Sequence, residues 1–226
     1  TYLRLDQTMA QFLNYLDKMV GKDNYLLFLT ADHAGAENSN YLKDNKYNVK
    51  NIPSKEIVGA LKKHSNDTFG ADLILDYSNF NLFLNKEIIK GKGLEFTKVK
   101  QSFKEFLMTQ EQVKRVYTEE EILASSGDDY FLSFIANGYD PKQNGDIVIL
   151  DKTGYMQYQA TGTTHGSPNS YDTHVPLLFY GWQVPKGELH TKKYITQIAP
   201  TLSQMLKIPF PNGTESEVLE TLLQKK

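Results

Sequence analysis

YLLFLTADHAGAEN, residues 25–38, runs from a solid apolar stretch directly into an aspartate, a histidine and a segment of small residues. Tyr25, Leu26, Leu27, Phe28 and Leu29 make a continuous apolar run of strand length, the pattern of a strand buried on both faces of a sheet. Upstream, Leu3, Leu5, Met9, Phe12, Leu13, Leu16, Met19 and Val20 recur at spacings of three and four, which predicts an amphipathic helix ending near Gly21. A helix followed by a buried strand is an α/β signature. In open α/β sheets ligands gather outside the carboxyl ends of the strands, and Asp32 and His33 stand at such an end. Together they offer a hard oxygen and an imidazole nitrogen, which zinc accepts where no thiolate is available. For such a pair taken alone, a turn-capping Asp beside a hydrogen-bonded His is the commoner explanation.

The whole chain narrows the choices. Its 226 residues, 40% apolar and 12% aromatic against 23% charged, suit one globular domain, or one domain carrying an insertion. A formal net charge of -2, with Lys and Arg scattered among acids, argues against a nucleic-acid partner. The longest apolar runs, around 25–30 and 175–180, are about six residues, far below the roughly 20 that span a bilayer, so no membrane insertion is expected. With no cysteine, disulfides and thiolate zinc sites are excluded, and a metal would be held by His and carboxylates. The chain opens at Thr1 without a leader pattern and reads as cut from something longer.

Further along, 34–53 is polar and rich in Asn, Gly and Lys, and is expected to be a loop. SKEIVGALKKHS predicts a helix, ADLILDYSNFNLFLN two strands turning at Ser78 and Asn79, FTKVKQSFKEFLMTQ a helix, VKRVYT a strand and EEEILASS a short helix. These make a small α+β unit over 52–139, expected as an insertion between core segments 1–51 and 140–226. The core resumes with two strands in DIVILDKTGYMQYQ, a loop of small residues in ATGTTHGSPNSYDTH, a further buried strand in VPLLFYGW and a closing helix in ITQIAPTLSQMLKI.

The five histidines are not equivalent. His64 and His190 are surrounded by charge and read as solvated surface residues. His165 stands among small residues, where backbone approaches an ion or ligand closely, so it is a plausible zinc ligand. His174 opens an apolar run and ranks as a residue supporting the ligands, hydrogen-bonded at the strand entrance. Thr30, Thr163, Thr164 and Ser167 lie near these positions, but a hydroxyl is inert without a metal or base to lower its pKa, and they are taken as loop residues.

YLLFLTADHAGAEN taken with GTTHGSPNSYDTHVPLLFYG (162–181) and ITQIAPTLSQMLKIPFPNGTESEVL (195–219) resembles the C-terminal half of type I phosphodiesterase/nucleotide pyrophosphatase-like enzymes of the alkaline phosphatase superfamily. Within that group the resemblance is nearest to the phosphate-irrepressible bacterial alkaline phosphatases. It implies an α/β fold, an alkaline-phosphatase-like mixed sheet flanked by helices, and a periplasmic or secreted location. It also implies hydrolysis of small phosphate esters by two zinc ions about 4 Å apart. By the family pattern Asp32 and His33 bind one zinc and His165 the other, with Asp172 and His174 behind them. The family's nucleophile, its first metal-binding Asp and an Asp-x-x-x-His ligand pair correspond to sequence before Thr1. The resemblance therefore implies no catalytic nucleophile among these residues, partial metal occupancy at most, little turnover and a tendency to self-associate. Superfamily phosphodiesterase or sulfatase activity, or a non-catalytic accessory role, are the alternatives; the oligomeric state is not readable.

Overall fold

The computed structural model describes residues 1–50, 52–157 and 162–223. In chain order the elements are helix α1 (Tyr2–Met19), strand β1 (Leu26–Leu29), α2 (Ser39–Asp44), α3 (Ser54–Phe69), β2 (Ile74–Ser78), β3 (Asn81–Leu84), α4 (Lys86–Gly91), α5 (Phe96–Met108) and β4 (Val113–Thr118). They continue with α6 (Glu119–Leu123), α7 (Tyr130–Gly138), β5 (Ile147–Asp151), α8 (Ser170–Thr173), β6 (Leu178–Gly181), a 3-10 turn at Ile195–Gln197 leading into α9 (Ile198–Leu206), and α10 (Glu220–Leu223). This is the expected α/β class, built of antiparallel sheets flanked by helices. The chain divides into two compact units, one of Thr1–Asp32 with Val175–Lys226 and one of His33–His174.

The larger unit is organised by β5, whose five residues are all buried. Alternation along IVILD sends successive side chains to opposite faces. Ile147 and Ile149 join Ile57 and Leu61 of α3, Val99, Phe103 and Leu107 of α5, and Ile89 of α4 in one apolar cluster. Val148 packs on the other face with Tyr117, Ile122 of α6, and Phe131, Leu132 and Ile135 of α7. The four strands run in the order β2-β3-β5-β4, each antiparallel to its neighbour. Between β2 and β3 the turn sits at Asn79 and Phe80, one residue beyond the expected position, with φ of 48° and 62°. Two positive-φ central residues match the twist of the flanking strands, as in a type I′ turn; Asn accepts this conformation, whereas Phe80 is strained in it.

Several expectations are corrected here. The loop expected over 34–53 contains α2, whose start is fixed by the Asn38 side chain accepting from the backbone N–H groups of Asn40 at 2.9 Å and Tyr41 at 3.3 Å. Six residues, with Leu42 the one aliphatic among them, are too few to show an apolar period, so only the Asn cap marks this helix. Of the strand expected after β5, Met156 makes an isolated bridge, accepting from Ile52 at 2.8 Å and donating to Lys50 at 3.3 Å. Tyr158 and Gln159 of that expectation, with Ala160 and Thr161 of the following loop, lie outside the described residues.

In the smaller unit β1 pairs antiparallel with β6, Leu26 opposite Gly181 and Leu29 opposite Leu178. Gly181 is required at that corner: its φ is 98°, and a Cβ would collide with the Tyr25 carbonyl oxygen. The expectation that β1 is buried on both faces and β6 is a further buried strand fails, because Phe28, Tyr180 and Leu178 are 41%, 43% and 60% exposed. A two-stranded ribbon must have each face covered by other elements, and apolar run length does not say how many layers cover it. α1 is amphipathic as expected but buries none of its side chains. Ile198 and Met205 of α9 are buried together with Leu219. The fully buried Thr201 hydroxyl donates to the Gln197 carbonyl at 2.6 Å and accepts from the Leu219 N–H at 2.8 Å.

Candidate metal centre and adjoining cavity

Asp32 ends the smaller unit three residues beyond β1, exposed, and His33 opens the larger one, also exposed. Within the larger unit the segment after His33 lies beside the loop that carries His165. The Ala36 N–H donates to the Thr164 carbonyl at 3.0 Å, the Thr163 hydroxyl donates to the Ala36 carbonyl, and Asn38 Nδ2 donates to the Gly162 carbonyl at 2.5 Å. These bonds bring together two histidines far apart in sequence. The rings of His33 and His165 stack with centroids 3.5 Å apart and planes within 12°. His33 Nδ1 lies 2.6 Å from the Ala34 carbonyl oxygen. A carbonyl only accepts, so Nδ1 carries the hydrogen and the ring's lone pair is on Nε2, the arrangement of a metal-binding histidine held by a backbone carbonyl.

Asp172, 4% exposed in α8, supports the same corner twice over. Its carbonyl accepts from the Ala34 N–H at 2.8 Å, fixing the residue to which His33 bonds. Its carboxylate Oδ2 accepts from the Ser167 N–H at 2.8 Å and from the Ser167 hydroxyl at 2.7 Å. His174 follows α8, its N–H donating to the Ser170 carbonyl at 2.9 Å and its side chain exposed. The hydroxyls expected to be loop residues behave so here: Thr163 and Ser167 donate as described, and Thr164 donates to the His165 carbonyl at 3.4 Å. Thr30, in the other unit, has a buried hydroxyl oxygen without a hydrogen-bond partner. His64 is not the solvated residue expected from its charged neighbours. Its ring stacks on Phe106 at 4.3 Å, Nε2 lies 3.1 Å from the Ser102 hydroxyl, and burial lowers its pKa. His190 is exposed.

Behind the His165 loop lies a cavity of about 120 Å³ that sequence reading did not anticipate. Asp151, at the carboxyl end of β5, lines it together with Asn169, Tyr171 and Asp172. Asp151 is 7% exposed. One carboxylate oxygen accepts from Gln157 Nε2 at 2.8 Å, and Gln157 in turn accepts from the Tyr77 hydroxyl at 2.7 Å. Burial pushes the Asp151 pKa up to about 6 against the opposing Gln157 hydrogen bond. The Tyr171 hydroxyl is likewise raised, by burial first and then by the charges of Asp172 and Asp151. Among the described residues no three His, Asp or Glu side chains gather as a metal site, and no helix is long and apolar enough to cross a membrane.

The chain is similar to known proteins along its whole length. It is 40% identical over 219 residues to the alkaline phosphatase PafA of Elizabethkingia meningoseptica, covering 94% of this chain and 39% of that protein. It is 37% identical to a protein named calcium-transporting ATPase of Myroides odoratus, covering all of this chain and 42% of that one. With the alkaline phosphatase PhoV of Synechococcus elongatus it shares 34% identity, over 99% of this chain and 40% of the relative. The crystal structure of wild-type alkaline phosphatase PafA superposes with a TM-score of 0.88 at 37% identity, covering 97% of this chain and 42% of that one. The chain thus spans about two-fifths of the length of these relatives. The model of the type I phosphodiesterase / nucleotide pyrophosphatase family matches residues 1–175, and the chain belongs to that family.

Proposed function

We propose that the whole protein hydrolyses phosphate monoesters with two zinc ions, at the cell exterior or in the periplasm, and that this chain carries part of the site. Asp32 and His33 hold one ion and His165 its neighbour. The observation that carries this reading is the parallel stack of His33 on His165, with the His33 tautomer set by the Ala34 carbonyl. Zinc at such a centre polarises a phosphoryl oxygen and lowers the pKa of a bound hydroxyl. The chain's own residues orient the ligands: Asp172 fixes Ala34, Ala34 fixes His33, and the bonds from 36–38 to 162–164 hold the His165 loop. A catalytic zinc normally has three protein ligands. Two for one ion and one for the other leave both weakly held, so the 226-residue chain by itself turns over little.

The names of the two alkaline phosphatases at 40% and 34% identity favour a monoesterase, whereas the family description favours a diesterase or pyrophosphatase. The test on the chain is a zinc titration of wild type, His33→Ala and His165→Ala, together with p-nitrophenyl phosphate hydrolysis in zinc. Weak zinc binding that each substitution reduces about tenfold, with negligible turnover, is the expected result. Zinc binding indifferent to both substitutions would refute the ligand assignment, and robust zinc-dependent hydrolysis would refute the incomplete site. Comparing mono- and bis-p-nitrophenyl phosphate on the full-length enzyme separates the two ester classes.

A further inference from the structure

Asp151 and Asp172 share a property beyond lining the same cavity. Each is more than nine-tenths buried, and each has one carboxylate oxygen, Oδ1, that is buried and without a hydrogen-bond partner. A carboxylate oxygen is acceptor-only, and leaving one unsatisfied in the interior costs more than an unpaired neutral group. Their other oxygens are already engaged, by Gln157 and by Ser167. No Lys or Arg is among the described residues that line the cavity, so the two acids meet no fixed positive charge there. Asn169, Tyr155 and Tyr171 line the same cavity. At about 120 Å³ it exceeds the roughly 10–15 Å³ that one water needs, leaving room for an ion with part of its water shell.

We infer that this cavity is a binding site for a hard divalent cation, magnesium or calcium, held by Asp151 and Asp172 and completed by retained waters. Hard cations take oxygen ligands, and magnesium in particular is bound through one or two carboxylates while keeping several waters. Two buried carboxylate oxygens without a partner, on side chains that line one cavity, are what distinguish this site from an ordinary wet pocket. The site uses neither Asp32 nor His33, although Asp172 also supports Ala34 and His165 lines the same cavity.

The experiment uses the full 226-residue chain stripped with EDTA and titrated with MgCl₂ or CaCl₂ by calorimetry, with terbium luminescence sensitised by Tyr155 and Tyr171 as a second readout. One ion per chain is expected, with a raised melting temperature. Asp151→Asn and Asp172→Asn should each weaken binding about tenfold or more, and His190→Ala, at an exposed residue of the other unit, should leave it unchanged. The tighter of the two cations identifies the ion. Absence of binding by either cation to the wild-type chain, or undiminished binding in Asp151→Asn, would overturn the inference. Should Asp172→Asn fail to fold by circular dichroism, Asp151→Asn, which keeps the Gln157 bond through its carbonyl oxygen, decides alone.

Discussion

Asp151→Asn makes the cost of the buried carboxylate measurable without any cation. The native pKa is pushed up to about 6 from an ordinary 3.8, about two units. At about 1.4 kcal/mol per unit the charged form is disfavoured by roughly 3 kcal/mol relative to the unfolded chain. The sign follows from proton counting: between about pH 4 and 6 the native state binds more protons than the unfolded state, so stability falls as pH rises. The contribution is fully present below the unfolded pKa and is gone once pH has risen through about 6. Asn does not titrate. In EDTA, urea unfolding of both proteins at low pH and at pH 7.5 should therefore show the variant gaining about 3 kcal/mol on wild type over that span. Acid effects common to both proteins cancel in the difference. A difference that stays constant within about 0.5 kcal/mol would refute the idea that Asp151 is strained by burial. Added magnesium should shrink the gain, because a cation favours the ionised carboxylate.

Two further substitutions test the scaffold. Gly181→Ala places a Cβ against the Tyr25 carbonyl in a left-handed conformation, and should cost about 3 kcal/mol or more, read as lost protection from hydrogen exchange in β1 and β6; unchanged exchange would refute the close approach. Lys100 is 2% exposed, pairs with Glu120 and lies over the Phe96 ring at 4.6 Å. Lys100→Met, which keeps the packed stem, should change stability by less than about 1 kcal/mol, whereas Lys100→Ala opens a hole costing about 2–4 kcal/mol. Equal losses in chemical denaturation would show the ion pair, not the stem, to be the main contribution.

What could be read from residues alone was decided locally. The apolar period of α1, the alternation around β2 and β3, and the helical spacing of α5 and α9 are short-range patterns, and each element lies where its pattern placed it. α4, at six residues, is too short to show an apolar period, and α7 is so apolar over 130–136 that no polar face gives it a helical period; their starts are marked by the single caps Asn85 and Asp129. Burial was less legible than element type. β5 and β1 carry equally apolar runs, yet β5 is buried throughout while β1 is only partly so. The difference lies in what packs on them: β5 has helices on both faces and a strand on either side, β1 a single strand partner among the described residues. Layer count is a property of topology, and no run of side chains encodes it.

The site shows the same division. YLLFLTAD drew attention because an apolar strand ends in an acid, and IVILD ends the same way, in Asp151. A histidine follows the first, whereas Lys152 follows the second and supplies no metal-ligand partner. Sequence marks both as charges placed where a strand leaves its sheet, but it does not report whether water reaches them. Asp32 is exposed, while Asp151 is enclosed by the loop 165–172 and by the turn at Asn79 and Phe80. For Asp151 the fold has removed the solvent without supplying a basic side chain, and such a charge must be protonated, hydrated or neutralised by a bound cation. Its ordinary position in sequence and its uncompensated position in space are what make it, rather than the more conspicuous histidines, the residue whose substitution tells most about what else this chain binds.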